Sequence, residues 1–427
     1  MAEPPAAGVR FLDKLTAPTL FTMIMVSALG PISMNMFLPS MPSMAEHFDV
    51  EYSMMTLAVT AYLAAMGVMQ MFFGPLSDRY GRRPVLLTAF SVFIVATVGC
   101  LIAPTFEVFI ACRLLQAGAA AGLVLARAMA RDLYGPDEAA SRIGWITMGM
   151  AVGPMLSPMV GGLLEQHYGW QAAFAAMLGF GALALVLAWG DAGETNRHRS
   201  SSIAAQMRGY PELIRSRRFW GYAAAAAFAS GSFFAFLGGA SYVGTRVLGL
   251  SPDMVGFYFG FIACGYMSGN FCSGMFSARV GMNRMILVGT LVATTGMTVA
   301  LALHVYGIVH PVALFGPILL VGLGNGMTIP NATAGTLTVR PHLAGSASGL
   351  GSTLMIGGGA GFAALTGMML TEDAGALPLI GPYLPSEPSA LPLIAMMLAS
   401  SVASVLAMLY VFWVASRRGP LPQAMQG

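Results

Sequence analysis

Gly74-Pro75-Leu76-Ser77-Asp78-Arg79-Tyr80-Gly81-Arg82-Arg83 is a charged decapeptide between two runs that carry no charge, Tyr52 to Ser77 and Pro84 to Phe106. Each run is long enough to cross a hydrocarbon layer of roughly 30 Å, which takes about 20 helical residues. The decapeptide is therefore expected as a tight loop at a membrane surface, joining two spanning helices. Later in the chain Ser277-Ala278-Arg279-Val280-Gly281-Met282-Asn283-Arg284 matches Ser77, Arg79 and Gly81 in register, so one half of the sequence repeats the other.

The composition agrees. Of 427 residues 56% are hydrophobic and 9% charged, against about 25% charged in soluble proteins, and the mean hydropathy is +0.72. Charge-free windows place spans near 17–40, 53–76, 84–103, 106–129, 142–164, 169–190, 219–244, 252–277, 285–304, 311–337, 344–370 and 389–415. The window from Met285 to Val339 needs two helices, with His304, Gly307, His310 and Pro311 marking the turn. The expected architecture is an all-α integral membrane protein of twelve spans in two pseudo-symmetric six-helix bundles, 17–190 and 219–415. A tail at 1–16, a connector at 191–218 and a tail at 416–427 complete the chain. The first span is too long for a signal peptide and lacks a small-residue cleavage pattern, so it reads as retained.

Net charge is +3, and its distribution carries the information. With the N-terminus inside, every Lys and Arg except Arg246 and the embedded Arg113 falls at a cytoplasmic end or loop. Glu46, Asp49, Glu51, Glu107, Glu165, Asp253, Glu372, Asp373 and Glu387 fall outside. This is the positive-inside bias, and it predicts both termini in the cytoplasm. The connector, with Arg197, His198, Arg199, Arg208, Arg215, Arg217 and Arg218, reads either as an amphipathic helix on anionic lipid or as a solvated linker. Cys100, Cys112, Cys264 and Cys272 all lie within expected spans, where they read as packing residues.

The repeat extends further. Gly118 and Gly122 of span 4 recur as Gly322 and Gly326 of span 10. Span 5 sets Gly149, Gly153, Ser157 and Gly161 four apart, and span 11 does the same with Gly345, Gly349, Thr353, Gly357 and Gly361. In lipid such stripes let helix backbones approach closely. Two halves packed along such seams can rock about a midplane site, which points to transport.

The opening loop resembles the Gly-x-Leu-Ser/Ala-Asp-Arg/Lys-x-Gly-Arg-Arg/Lys loop of the major facilitator superfamily at every defining position. The resemblance implies a gate latch: Gly74 for tight packing of span 2, Asp78 anchoring the inner ends of spans 2 and 11, and Arg79, Gly81, Arg82 and Arg83 completing the loop. Arg113-Leu-Leu-Gln116-Ala-Gly118 looks like the span 4 motif of drug exporters. Gly153-Pro154, with Gly161-Gly162, is similar to the span 5 signature of proton-linked antiporters. Leu125-Ala-Arg127-Ala-Met-Ala-Arg131-Asp132-Leu-Tyr134, with Leu29-Gly30-Pro31-Ile-Ser-Met-Asn35-Met-Phe-Leu38-Pro39-Ser-Met-Pro42, resembles the bicyclomycin and chloramphenicol exporter subgroup, Bcr/CflA.

A charge in the membrane interior is costly and marks function by default. Arg113 and Gln116 are three apart and share a helix face, and they are expected to line the substrate cavity. The subgroup normally places an aspartate where this chain has Asn35, which cannot titrate, and no other carboxylate lies well inside a span. Neutral or anionic cargo is expected, since Arg113 would repel cations. Tyr62, Gln70, Tyr266, Asn270 and Asn325 are further candidates for cargo hydrogen bonds, or else partners of neighbouring helices.

The expectation is an exporter of small, largely apolar compounds in a bacterial inner membrane, monomeric, with protons as the family's coupling ion. The competing reading is a facilitator or importer of a small anion held by Arg113. Metalloprotease, nucleophile-elbow and ATP-binding motifs are missing from the sequence, so no enzyme activity, cofactor, metal or nucleic acid is expected.

Overall fold

The computed structural model describes residues 11–13, 16–134, 136–196, 210–340, 344–370 and 388–418. Among them all regular structure is helical. The first helices are α1 (Leu20–Asn35), α2 (Met41–His47), α3 (Tyr52–Met55), α4 (Leu57–Tyr80), α5 (Arg82–Leu101), α6 (Phe106–Gln116), α7 (Ala120–Leu133), α8 (Pro136–Tyr168) and α9 (Trp170–Asp191). There follow α10 (Tyr210–Ile214), α11 (Arg217–Tyr242), α12 (Pro252–Val280), α13 (Met282–Val305), α14 (Pro311–Thr338), α15 (Ala344–Met369) and α16 (Leu391–Arg418). Among the described residues ten helical stretches are long and apolar enough to cross a membrane. The expected spans 5 and 8 are not among the ten: part of α8 lies outside the described side chains, and Gly265, Tyr266, Ser268, Gly269 and Asn270 dilute the apolar character of α12.

The charged decapeptide is not a loop of ten residues. Helix α4 continues through Pro75 to Tyr80, α5 begins at Arg82, and the whole turn is Gly81 at φ +104°. Gly281, at φ +90°, makes the same one-residue break between α12 and α13, so the sequence repeat is a repeat of backbone geometry. Only glycine adopts such a conformation without strain. The expected turn near His304 is also found: α13 stops at Val305, Gly307 takes φ +75°, and the His310 ring caps α14 by accepting from the Val312 amide at 3.2 Å. Expected span 4 is broken by a 3-10 turn at Ala117–Ala119.

The chain forms two compact units. The first comprises Met1–Phe37 and Ala65–Ile203, the second Leu38–Ala64 and Ala204–Gly427. In the first unit α1 packs against α7, α8 and α9, and α5 against α6 and α9. The small residues of α8 serve this packing. A Cβ on Gly161 would run into the Met36 carbonyl, and one on Gly153 would lie 3.3 Å from Ile32 Cγ1. The expected seam with the other half is thus a seam with α1 of the same unit. Pro154 and Pro158 lie inside α8 without interrupting it.

In the second unit α14 packs closely on α12 and α13, and α11 on α15 and α16. Residues 38–64 belong to this unit. Ser241 donates to the Leu38 carbonyl at 2.5 Å, the Tyr52 and Tyr242 rings lie 5.0 Å apart, and Arg246, in a π-helical turn at Val243–Val247, pairs with Glu46.

Candidate functional site

Arg113 is completely buried in the first unit. Its Nη1 donates to Gln116 Oε1 at 2.6 Å and, at 3.3 and 3.4 Å, to Ser33 Oγ and the Ser33 carbonyl. Gln116 in turn donates to Thr97 Oγ1 at 2.7 Å, and Thr97 donates to the Phe93 carbonyl at 2.7 Å. Helices α1, α5 and α6 are thereby tied by one polar chain. The guanidinium carbon lies 4.4 Å from the centre of the Phe37 ring and 6.0 Å from that of Phe174. Phe109 and Trp170 pack edge-on to Phe174, at 5.5 and 5.8 Å, and hold it in place.

A buried charge is tolerated when hydrogen bonds and ring faces replace its water, and a desolvated cation over an aromatic face gains about 2 kcal/mol. This differs from the expected wet position. In this conformation Phe37 covers Arg113, so the cavity role needs that cover to move.

The other candidates are distributed over both units. Asn35 is buried but gives its amide to the Pro31 carbonyl of its own helix at 2.7 Å. Gln70 is half-buried in the first unit. Tyr62 is fully buried and belongs to the second unit. There Asn270 donates to the Tyr266 carbonyl at 2.8 Å, and Asn325 to Ser232 at 3.4 Å. The first is a bond back to the residue's own helix and the second one to a neighbouring helix. Ser33, Thr97, Phe37 and Phe174 were missed, because nothing in their local sequence marks them as neighbours of an arginine on α6.

The inner charged cluster is the second assembly. Arg82 Nη1 reaches Asp78 Oδ1 and Ser77 Oγ, each at 2.5 Å, and its Nε donates to Asp132 Oδ2 at 3.0 Å. Three residues expected to open the connector complete it. Glu194 accepts from the backbone amides of Arg82 and Arg83 at 2.9 and 3.2 Å, which caps α5. Thr195 donates to Asp132 at 3.1 Å. Asn196 donates to the carbonyls of Ser77 and Asp78 at 3.2 and 2.8 Å, near the end of α4. Helix ends need such partners for their orphan amides and carbonyls.

Asp191, fully buried, accepts from Thr19 N, Thr19 Oγ1 and Leu12 N, each at 2.8 Å, at the start of α1. Residues 191–196 are therefore a strap over four helix ends of the first unit rather than part of a free linker.

The remaining gate candidates lie on α4, α5, α7 and α8. Gly74 was expected to allow tight packing, yet a Cβ there would meet nothing within 4 Å. Arg79 is exposed beside the Tyr80 ring, Arg131 is exposed, and Arg127 is half-buried. Arg83 donates to the Trp189 carbonyl at 2.8 Å, and Gly162 is buried in α8. The engagement of Asp78 with span 11 concerns the other unit and stays a proposal. Among the described residues no group of three or more His, Cys, Asp or Glu is placed to hold a metal.

The family model described as Major Facilitator Superfamily matches residues 23–364. The chain is 30% identical to "Uncharacterized MFS-type transporter YdgK" of Bacillus subtilis over 77% of this chain and 83% of that one. It is 30% identical to "Chloramphenicol resistance protein" of Pseudomonas aeruginosa over 77% and 79%, and 29% identical to "Multidrug resistance protein D" of Escherichia coli over 82% and 88%. A crystal structure of a bacterial homologue of the human lysosomal transporter Spinster, inward-facing and unoccupied, shares the fold with a TM-score of 0.71 at 20% identity. That match covers 93% of this chain and 96% of that one.

Proposed function

Since the chain belongs to the Major Facilitator Superfamily, and so is a multi-pass membrane transporter rather than an enzyme, we propose that it exports small, largely apolar, neutral or anionic compounds by alternating access. The setting is a bacterial inner membrane, the chain works as a monomer, both termini face the cytoplasm, and twelve spans form the bundles 17–190 and 219–415. The observation that carries the reading is Arg113, a fully buried guanidinium held by Gln116 and Ser33 beneath the Phe37 ring. A site with one fixed positive charge and aromatic walls attracts an apolar body bearing a carbonyl, nitro or carboxylate oxygen. The names of the relatives, which speak of chloramphenicol and multidrug resistance, support the same cargo class.

Proton exchange is the coupling the resemblance implies. One observation favours the facilitator reading instead: Asn35 stands where the subgroup has an acid, and its amide is committed to Pro31. Chloramphenicol accumulation in inside-out vesicles decides between them. Uptake that rises when the vesicle interior is acidified is the export result, and uptake indifferent to pH is the facilitator result. If no solute from a broad panel moves in either direction, the transport assignment of Arg113 fails.

A further inference from the structure

Helices α5 and α6 of the first unit, joined by the short turn Ile102–Thr105, carry two thiols that neither assembly described above uses. Cys100, in the last turn of α5, is fully buried, Cys112 on α6 is half-buried, and both are free. The Cys112 side chain lies on the backbone of Gly99, where an added Cβ would come within 2.5 Å of its Sγ. Cys100 donates to the Phe109 carbonyl, one turn before Cys112, at 3.9 Å. It also shares a side-chain hydrogen bond with the Cys112 thiol. The missing side chain at position 99 is what lets the second thiol settle beside the first.

The pair stands next to a fixed charge. Arg113 follows Cys112 in the chain, and its guanidinium acts electrostatically on the Cys100 thiol. Thr97 and Cys100 are three apart on α5, and Cys112 and Gln116 four apart on α6, so each pair shares a helix face. The thiols are therefore the next rung beyond the bond that Gln116 gives Thr97.

Thiolates are soft ligands and select soft cations. Zinc asks for a tetrahedral set of four, and among the described residues no group of three or more His, Cys, Asp or Glu could begin one. Monovalent copper is satisfied by two thiolates in line.

We propose that Cys100 and Cys112 form a two-coordinate site for Cu+. Two S–H bonds break, two S–Cu bonds form, both protons leave to water, and no electron is transferred. The product is a copper dithiolate with one negative charge. A charge in the membrane interior is costly, and the Arg113 guanidinium offsets this one. The bound cation ties α5 to α6. The site goes beyond the export reading and does not rest on it.

The test uses the full chain in lipid nanodiscs with Cys264→Ala and Cys272→Ala, and the air-stable Ag+ as the probe in chloride-free buffer. Native mass spectrometry counts the Ag+ carried, and competition with thiosulfate reads its affinity. The expected result is one Ag+ per chain. Cys100→Ser and Cys112→Ser keep the shape of the side chain and lose one ligand, so each is expected to bind Ag+ at least about a hundredfold more weakly, the upper end of what loss of an outer-shell partner costs. One equivalent of Ag+ is expected to raise the midpoint of thermal unfolding of the parent and to leave both serine variants where they were. Zn2+ is expected to do neither.

A parent that carries no Ag+, or a serine variant that holds it as tightly as the parent, overturns the site, the second result marking an adventitious ion only. One equivalent bound with no rise in the midpoint overturns the bridge between α5 and α6, and equal binding of Zn2+ overturns the choice of a soft monovalent cation. No transported solute enters these measurements, so their failure is distinct from failure of the export reading.

Discussion

Arg113 and Gln116 lie one helical turn apart on α6, and the guanidinium of the first donates to the side-chain oxygen of the second at 2.6 Å. The pair behaves as one group, since Gln116 spends its own amide on Thr97 and so fixes the direction of its oxygen. Arg113→Lys keeps the charge but loses the planar fork and its stacking on Phe37. Two contacts of about 1 to 2 kcal/mol each are weakened. Transport of the cargo proposed above is expected to fall about tenfold or more while the protein still reaches the membrane. Gln116→Leu keeps the volume and leaves buried donors short of an acceptor, a loss of about 1 to 3 kcal/mol, to be read as a lower midpoint of thermal unfolding in detergent.

Asn35→Asp supplies a group that can take up and release a proton in the unit that holds Arg113. Transport by the variant in vesicles is expected to depend more steeply on pH than the parent's between about 6 and 8, around the ordinary histidine range. A variant whose pH profile matches the parent's removes position 35 from the coupling argument.

Much of this fold was legible because lipid leaves few choices: charge-free runs must be helices, and the charged decapeptide had to sit at their junction. Its repeat, Ser277 to Arg284, correctly foretold a second junction, seen in the matching glycine turns at 81 and 281. The length of the turn was not legible. Charge in an apolar sequence reads as loop, whereas Asp78 and Arg82 are helical residues that pair across Gly81. At the candidate site, Arg113 and Gln116 announced themselves through spacing. Phe37 and Phe174 did not, because an aromatic residue in an apolar run has the same sequence signature whether it faces lipid or a cation. Asp191, Glu194 and Asn196 were hidden for a related reason. Their partners are backbone groups at other helix ends, and a sequence carries no mark of where those ends meet.

The strap at 191–196 therefore makes a ranked prediction. Asp191→Ala takes from Thr19 N, Thr19 Oγ1 and Leu12 N an acceptor that is itself fully buried, and a buried donor left unsatisfied costs about 1 to 3 kcal/mol. Glu194→Ala removes the cap of α5 at an exposed position, where water can substitute, and is expected to cost about 0.5 to 2 kcal/mol. Thermal unfolding of the two variants in the same detergent should give the lower midpoint for Asp191→Ala. The reverse order would mean that Leu12 and Thr19 are not held by Asp191 as described.

Two glycines of the recognised motifs make opposite predictions. At Gly161 a methyl group collides with the Met36 backbone carbonyl, which no side-chain rotation can relieve, so α1 and α8 must part. Overpacking of this kind costs about 1 to 3 kcal/mol, and Gly161→Ala is expected to unfold at a lower temperature. At Gly74 a methyl group meets open space inside α4. Alanine in a helix interior is favoured over glycine by roughly 0.5 to 1 kcal/mol, so Gly74→Ala should be at least as stable as the parent. If that variant is stable yet slow in transport, the need for glycine belongs to another conformation of the cycle, in which a partner helix closes on α4. If it is less stable, the space beside Gly74 is already occupied and the latch reading of the decapeptide applies to this conformation as well.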